Sequence, residues 1–178
     1  MVDQRENQWI SRADTKLIEH LCNRRFGIGA DGLILLQNLE GFDFEMVYFN
    51  ADGRESSMCG NGGRCIAAFA WYLGIIDNHC RFMAIDGEHE ASIGAVSYPK
   101  GTNVHSSRAQ LGQNLWINLK MSDVKHVEKD GEAYILNTGS PHYVRFVNNL
   151  DSLDMVAEGR AVRYSERWKK DGINVNLV

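Results

Sequence analysis

A cysteine in a glycine-rich run is the residue of this chain best suited to chemistry. Cys59 lies in the run Met-Cys-Gly-Asn-Gly-Gly-Arg-Cys over residues 58–65, and the apolar stretch over residues 66–73 follows directly. This order predicts a thiol at the start of a helix, where unpaired N–H groups and the positive dipole end favour the thiolate. Taken alone, Cys59 fits an inert buried cysteine equally well.

The residues after Cys59 make an anion-binding site the better interpretation. Gly60, Gly62 and Gly63 leave almost no side chains where the chain enters the helix, so a ligand can approach the backbone closely. Asn61 adds an amide, and the free N–H groups of a helix start bind carboxylates and phosphates. A reactive sulfur beside such a site predicts chemistry on a small acidic metabolite.

Size, charge and cysteine spacing restrict the class of protein. The chain has 178 residues, 44% of them hydrophobic, which is enough for one or two compact units. With a net charge of −4 and no basic run, neither nucleic acid nor a membrane surface is an expected partner. No apolar stretch is long enough to cross a bilayer, and the first residues lack the apolar core of a signal peptide. Four cysteines without CxxC spacing argue against a zinc site and a disulfide framework, so a reduced, cytoplasmic setting is expected.

The hydrophobic periodicity predicts mostly strands and one apolar central helix. A first helix is expected to begin at a capping box at Ser11, to bury Cys22 and to end at Gly27. The helix after the glycine-rich run is expected to end near Gly74. Strands are expected over residues 33–36, 44–50, 80–85, 90–96, 109–111, 115–121, 133–137, 142–147 and 173–178, and a further helix over residues 150–158, closed by Gly159. This pattern favours a sheet curled around the central helix.

One motif is a false match to a nucleotide site. Gly27, Gly29 and Gly32 fit the G-x-G-x-x-G fingerprint, which needs a strand before it and a helix after it. Here the predicted helix comes before and the predicted strand after. A nucleotide cofactor is therefore rejected.

Four segments together resemble the diaminopimelate epimerase family. Its signature is matched by Phe-Asn-Ala-Asp-Gly at residues 49–53 with the cysteine run, and further matches follow the family's order at residues 23–32, 139–142 and 172–174. The resemblance implies an α+β fold of two similar halves, each a mostly antiparallel sheet curled in a barrel-like manner around a central helix. It places residues 1–112 in the first half and residues 113–178 at the start of a second, incomplete half.

The resemblance also implies a reaction that uses no cofactor, neither pyridoxal phosphate nor a metal. Family members invert a carbon that carries a carboxylate and an amine: one thiolate removes the α-proton while an opposing thiol supplies a proton to the other face. Cys59 matches one of the two catalytic cysteines. Gly60 and Asn61 match the positions whose backbone binds the α-carboxylate of the substrate.

Other site residues follow from the same resemblance. Asn50 and Asn174 match asparagines that recognise the substrate at its distal amino-acid end, and His142 matches a histidine that tunes the ionisation of the catalytic pair. The other histidines are expected to be ordinary polar residues. Two positions depart from the family pattern: Ser140 stands where many members have a substrate-binding asparagine, and Gly32 stands where some have a binding glutamine.

The partner cysteine of the family is missing from this sequence. Cys22, Cys65 and Cys80 lack the glycine-rich helix start, and Cys65 is expected to be packed rather than reactive. The chain is therefore expected to lack the family's extreme N-terminus and most of its second half, and to be inactive on its own.

The leading hypothesis is an isomerase that interconverts LL- and meso-diaminopimelate in lysine and peptidoglycan-precursor synthesis. Its partner is this small-molecule substrate, and a homodimer is left open. One alternative is a related cysteine-pair amino-acid racemase or a phenazine-biosynthesis-type isomerase. Another is a catalytically silent fragment that binds an acidic amino acid or a partner chain.

Overall fold

The chain forms two compact units, Met1–Lys120 and Met121–Val178, and the computed structural model describes residues 1–94 and 115–178 of it. The first unit contains β1 (Val2–Asp3), α1 (Thr15–Cys22), β2 (Gly32–Gln37), β3 (Phe44–Asn50), β4 (Glu55–Ser56), α2 (Gly60–Tyr72), β5 (His79–Ala84), β6 (Gly87–Ile93) and β7 (Ile117–Leu119). The second contains β8 (Val127–Asp130), β9 (Ala133–Asn137), β10 (Pro141–Arg145), a 3₁₀ turn (Leu150–Ser152), α3 (Met155–Arg163) and β11 (Asn174–Leu177). The predicted boundary at residues 112–113 and the predicted strand at 109–111 lie outside the described residues.

Over its described residues, 1–94 and 115–120, the first unit forms a seven-stranded sheet with the strand order β1-β2-β3-β5-β6-β7, to which β4 adds by pairing with β3. Over the described ranges, six of the nine strand pairings in the two sheets are antiparallel. The fold is therefore a mixed α+β fold with mostly antiparallel sheets.

The central strand β3 is covered on both faces, which explains its nearly continuous apolar sequence. On one face, Val47 and Phe49 pack in a cluster with Ile18 and Cys22 of α1, so the predicted core position of Cys22 is confirmed. On the opposite face, Met46 lies against the start of α2. Both strand bounds agree with the predicted range 44–50.

Helix α2 packs against β2, β6 and β7, strands that lie towards opposite ends of the strand order. In a flat sheet β2 and β7 would be about 19 Å apart, whereas a helix is only about 10 Å wide, so the sheet must bend toward α2. The buried side of the helix consists of small and medium residues, Gly62, Gly63, Ile66, Ala67 and Ala70. Within residues 1–94 and 115–178, β1 does not pair with β7, so the expected barrel closure is not part of the described structure.

Helix α1 is shorter than predicted at both ends. Asp14, not Ser11, precedes the first turn, and its Oδ2 accepts a hydrogen bond from the Ser11 N–H at 2.8 Å. At the other end, Asn23 Oδ1 accepts from the N–H groups of Arg25 and Phe26, both at 2.9 Å, which diverts the backbone from the helix. The predicted stop at Gly27 was therefore wrong by more than one turn.

Helix α2 follows the prediction: it begins after Cys59 and ends before Gly74, whose φ of +75° suits a residue just beyond a helix. With α1 before Gly27 and β2 from Gly32, the order of elements around the G-x-G-x-x-G match is helix then strand, as predicted.

The second unit is a four-stranded sheet in the order β11-β10-β9-β8, in which β10 and β11 are parallel. Strand β9 has the predicted bounds, and β8, like β1 and β4, was not predicted. The predicted helix from residue 150 is instead a 3₁₀ turn followed by α3, because Asp154 caps a new helix by accepting from the N–H groups of Val156 and Ala157. Gly159 lies inside α3, so the predicted closure there was wrong.

Candidate active site

Cys59 is the residue immediately before α2, in an extended conformation with φ −102° and ψ 150°. Its Sγ accepts a hydrogen bond from the Gly62 N–H at 3.2 Å, and the residue is exposed. The first backbone bond of the helix joins the Gly63 N–H to the Cys59 carbonyl at 2.8 Å. The N–H groups of Gly60 and Asn61 therefore lie ahead of the helical bonding pattern, at the position where helix starts bind anions.

Glycines allow α2 to lie close to the sheet at this point. A Cβ on Gly62 would lie 3.2 Å from both Cys59 Sγ and Met46 Cε, and one on Gly63 would lie 2.7 Å from Leu119 Cδ2. Larger residues here would displace the sulfur or the helix. The glycines of this run were predicted to let a ligand approach the backbone. Close packing of the helix on the sheet is a second reason for glycine at these positions.

The turn between β5 and β6 supports the residue that precedes the sulfur. Asp86 Oδ1 accepts a hydrogen bond from the Met58 N–H at 3.2 Å. Behind Asp86 lies His89, which is 4% exposed and stacks on Phe82 with ring centroids 5.4 Å apart. His89 Nε2 is 3.3 Å from Asp86 Oδ1 but makes no well-aligned hydrogen bond within the described residues.

Sequence reasoning missed this support. His89 was expected to be an ordinary polar residue, and it is buried instead. The signal was available, because in β6 His89 shares the alternation of Ala91 and lies between Glu88 and Glu90.

Tyr48 occupies the space that Gly32 leaves open on the neighbouring strand. A Cβ on Gly32 would lie 2.7 Å from Tyr48 Cε2 and 3.0 Å from its hydroxyl oxygen. Burial raises the pKa of the Tyr48 hydroxyl, and the charge of an ionised Cys59 raises it further. Tyr48 lies two residues before the predicted binding residue Asn50, which is exposed at the end of β3.

The other three cysteines are poor partners for Cys59. Cys22 and Cys80 are buried, and burial raises the pKa of both thiols, that of Cys80 to about 11. Cys65 is exposed on α2, so the prediction that it is packed was wrong; at this turn Ile66 faces the sheet instead. All four cysteines are free thiols.

The second unit brings together two of the predicted residues, His142 and Asn174, on the parallel strands β10 and β11. Asn174 Nδ2 donates to Ser140 Oγ at 3.2 Å, and Ser140 Oγ lies 3.3 Å from His142 Nε2. The other ring nitrogen, Nδ1, lies 3.1 Å from Nδ2 of Asn176, a residue that the sequence did not single out.

Over 1–94 and 115–178, no group of three or more His, Cys, Asp or Glu residues could hold a metal ion. Over the same ranges, no helix is long and apolar enough to span a membrane.

Two solved structures have a fold similar to that of this chain. The chain resembles a Bacillus anthracis phenazine biosynthesis protein of the PhzF family, with a TM-score of 0.53 and 16% identity over 80% of this chain and 48% of that one. It also resembles a hydroxyproline epimerase from Agrobacterium vitis, with a TM-score of 0.51 and 14% identity over 85% and 46% of the two chains. At these identities the likeness shows the fold alone.

Sequence comparison then shows the family: the chain belongs to the diaminopimelate epimerase family, whose model matches residues 1–106. It is 46% identical over 178 residues to the diaminopimelate epimerase of Flavobacterium psychrophilum, covering 100% of this chain and 62% of that protein. It is 41% identical over 165 residues to that of Chlorobaculum tepidum, covering 90% and 58%. The chain thus spans about 60% of the length of these relatives.

Proposed function

We propose that this chain supplies one of two acid–base groups to a cofactor-independent epimerase that interconverts LL- and meso-diaminopimelate. The observation that carries the proposal is the position of Cys59, an exposed sulfur at the N-terminal end of α2 with backbone N–H groups beside it. Family membership supplies the substrate, and the site supplies a reason for the chemistry.

The Cys59 thiolate removes the α-proton in one direction and, as a thiol, returns a proton in the other. The electron pair of the broken C–H bond stays on the α-carbon and spreads into the carboxylate. That growing charge is stabilised by the N–H groups of Gly60 and Asn61, which are already oriented in the helix start. A second thiol delivers a proton to the opposite face, so the two sulfurs exchange protonation states in each turnover.

We assign three further residues to the substrate. Asn50, at the exposed end of β3, and Asn174, at the start of β11, bind the distal amino-acid end. His142 tunes the ionisation of the catalytic pair. These roles rest on the family pattern, and the exposure of both asparagines agrees with them.

In this proposal, the second sulfur comes from outside these 178 residues. Cys22 and Cys80 are buried, and Cys65 lies within α2 rather than at its start. We therefore propose that the 178-residue chain alone does not convert substrate. We also propose that its first sheet belongs to a barrel-like half that wraps α2. A cytoplasmic setting, a role in lysine and peptidoglycan-precursor synthesis, and a homodimer belong to the same proposal.

The test is deuterium uptake from heavy water. LL-diaminopimelate is incubated with the 178-residue chain and, separately, with an extended protein, in which this chain is completed at both ends with the segments of the Flavobacterium psychrophilum relative that it does not span. We expect α-deuterium in the substrate only with the extended protein. Turnover by the 178 residues alone would refute the two-cysteine mechanism.

Substrate choice is tested with the same extended protein. L-Proline, trans-4-hydroxy-L-proline and a phenazine precursor should show no exchange under the same conditions. Exchange on one of these but not on diaminopimelate would assign the chain to the related racemases or isomerases instead.

A further inference from the structure

Both ring nitrogens of His142 have defined neighbours in the second unit. The parallel register pairs His142 with Asn174, so Asn174 and Asn176, two residues apart on β11, flank the ring on one face of the sheet. Nε2 lies 3.3 Å from Ser140 Oγ, and Nδ1 lies 3.1 Å from Asn176 Nδ2. These neighbours determine which ring nitrogen carries the proton.

The orientation of the Asn176 amide is fixed by the backbone. Its Nδ2 lies 3.2 Å from the Tyr143 carbonyl oxygen and 3.4 Å from the Asn174 carbonyl oxygen, and carbonyl oxygens only accept hydrogen bonds. The amide nitrogen, not the amide oxygen, therefore faces the ring. The two hydrogens of this NH₂ group go to its two nearest neighbours, His142 Nδ1 at 3.1 Å and the Tyr143 carbonyl oxygen at 3.2 Å, so Nδ1 is the acceptor and carries no proton.

The proton of the neutral ring is consequently on Nε2, which donates to Ser140 Oγ. The same oxygen also accepts from Asn174 Nδ2 at 3.2 Å, whose orientation is fixed by the Pro141 carbonyl oxygen at 3.2 Å. With both lone pairs of the Ser140 hydroxyl engaged, its own hydrogen must point away from the network. It is a hydrogen-bond donor ready for an acceptor such as a carboxylate oxygen.

We propose that Asn176 is a positioning residue that holds His142 in the Nε2–H tautomer and thereby presents the Ser140 hydroxyl as a donor to an anionic ligand. The inference deepens the proposed function, on which the ligand depends, while the tautomer itself does not depend on any activity. It also gives a role to Ser140, the residue that departs from the family's asparagine. The hydroxyl is short, but two donors, His142 Nε2 and Asn174 Nδ2, direct its one hydrogen outward.

The tautomer is tested on the 178-residue chain by ¹⁵N NMR of the histidine rings at pH 8, where an unperturbed imidazole is neutral. The His142 signals are assigned by their loss in His142→Gln. We expect the Nε2–H tautomer in the unchanged chain. The Nδ1–H tautomer in that spectrum would overturn the proposal, whatever the variants do.

Asn176→Asp replaces the amide NH₂ donor with a carboxylate oxygen, which is an acceptor, with little change in side-chain shape. A carboxylate only accepts, so Nδ1 of His142 should become protonated in this variant. Asn137→Asp is the matched control: it adds the same charge on β9, and its Oδ1 can still accept from the Gly139 N–H, as Asn137 does at 2.8 Å. It should leave the tautomer unchanged. An unchanged tautomer in Asn176→Asp, or the same change in both variants, would contradict the role of Asn176.

The link to Ser140 is tested in the extended protein with diaminopimelate. We expect Ser140→Ala to raise KM by about tenfold, the loss of one hydrogen bond to a charged group. Asn176→Asp should raise KM similarly, and the double variant should be little worse than either single one. Additive effects would show that the two residues act independently and would overturn the link. If the extended protein has no epimerase activity, the proposed function fails, and the NMR result still decides the tautomer.

Discussion

The two units hold their candidate residues in different ways. In the first, the hydrogen bonds that hold the Cys59 segment involve its main chain: the Gly62 N–H donates to the sulfur, and the Asp86 side chain accepts from the Met58 N–H just before it. In the second, His142 is held by side chains: Asn176 Nδ2 and Ser140 Oγ lie against its two ring nitrogens. Backbone groups tolerate side-chain replacement, whereas a side-chain network fails when one member changes.

The units also differ in their cores. The first has large buried side chains such as Phe44, Phe49 and Leu36, whereas in the second the buried apolar residues among 121–178 are Ala133, Ile135 and Ile173. Helix α3 has no buried residue, and β8 is exposed throughout. Since burial is the main stabilising term, the first unit supplies a rigid base for its sulfur, and the second depends more on its polar contacts.

The largest expected effect on the reaction rate comes from replacing the sulfur of Cys59. Cys59→Ser in the extended protein should lower the rate of α-deuterium uptake by on the order of 10³-fold, because a hydroxyl is too weak an acid to supply an anionic base. Cys65→Ser is the control, since this exposed cysteine lies on the same helix. More than a tenth of the activity left in Cys59→Ser would remove Cys59 from the mechanism.

Hydrogen exchange should separate the two units next. Amides of β2 and β3 should exchange on the order of 100-fold more slowly than those of β10 and β11, because the first strands lie in the apolar core. Exchange of the 178-residue chain followed by mass spectrometry of peptides measures this. Equal protection would mean that the smaller core is no weaker, and the contrast between the units would be lost.

The pH dependence of stability tests whether water is excluded from Cys80 in the core of the first unit. Burial raises the pKa of this thiol from 9.0 to about 11, so the folded chain keeps a proton that the unfolded chain releases between these values. The free energy of unfolding is therefore unaffected by this group below pH 9 and should fall by about 1.4 kcal/mol per pH unit from pH 9 to 11. Urea unfolding with reductant should show a smaller decrease in Cys80→Ala. Identical slopes would show that the thiol does not resist ionisation.

A pair of helix glycines compares close packing in α2 with exposure in α3. Gly63→Ala should destabilise the chain by about 1–3 kcal/mol, because the new methyl group would crowd Leu119 and Met58. Gly159→Ala meets nothing within 4 Å and should stabilise α3 by up to about 1 kcal/mol. Thermal unfolding of both variants measures the difference. A neutral Gly63→Ala would show that α2 can lie further from the sheet.

The smallest effects compare a residue proposed to bind substrate through its backbone N–H, Asn61, with one proposed to bind it through its side chain, Asn174. In the extended protein, Asn61→Ala should change KM for diaminopimelate by less than about twofold, since its N–H group remains and its side chain bonds to Arg64 instead. Asn174→Ala should raise KM by about tenfold because the binding group itself is lost. The reverse order would mean that the Asn61 side chain, not its backbone, binds the substrate.

Local features of this protein could be predicted from its sequence. The start of α2 at Cys59 follows from a glycine-rich run before an apolar stretch, and the bounds of β3 and β9 follow from short apolar runs. The errors in α1 and α3 arose where Asn23 and Asp154 redirected or capped the backbone with their side chains. Such bonds depend on local geometry that residue types alone leave open.

The sequence by itself determined that a sulfur stands at a helix start, because the residues that build this feature are adjacent in the chain. Only the tertiary structure decided which distant residues support it. Asp86 reaches Met58 through the packing of strands, Tyr48 covers Gly32 through strand register, and Asn176 faces His142 because two strands run parallel. Each of these contacts joins positions that no local pattern relates, since the register of a sheet is set by packing over the whole face.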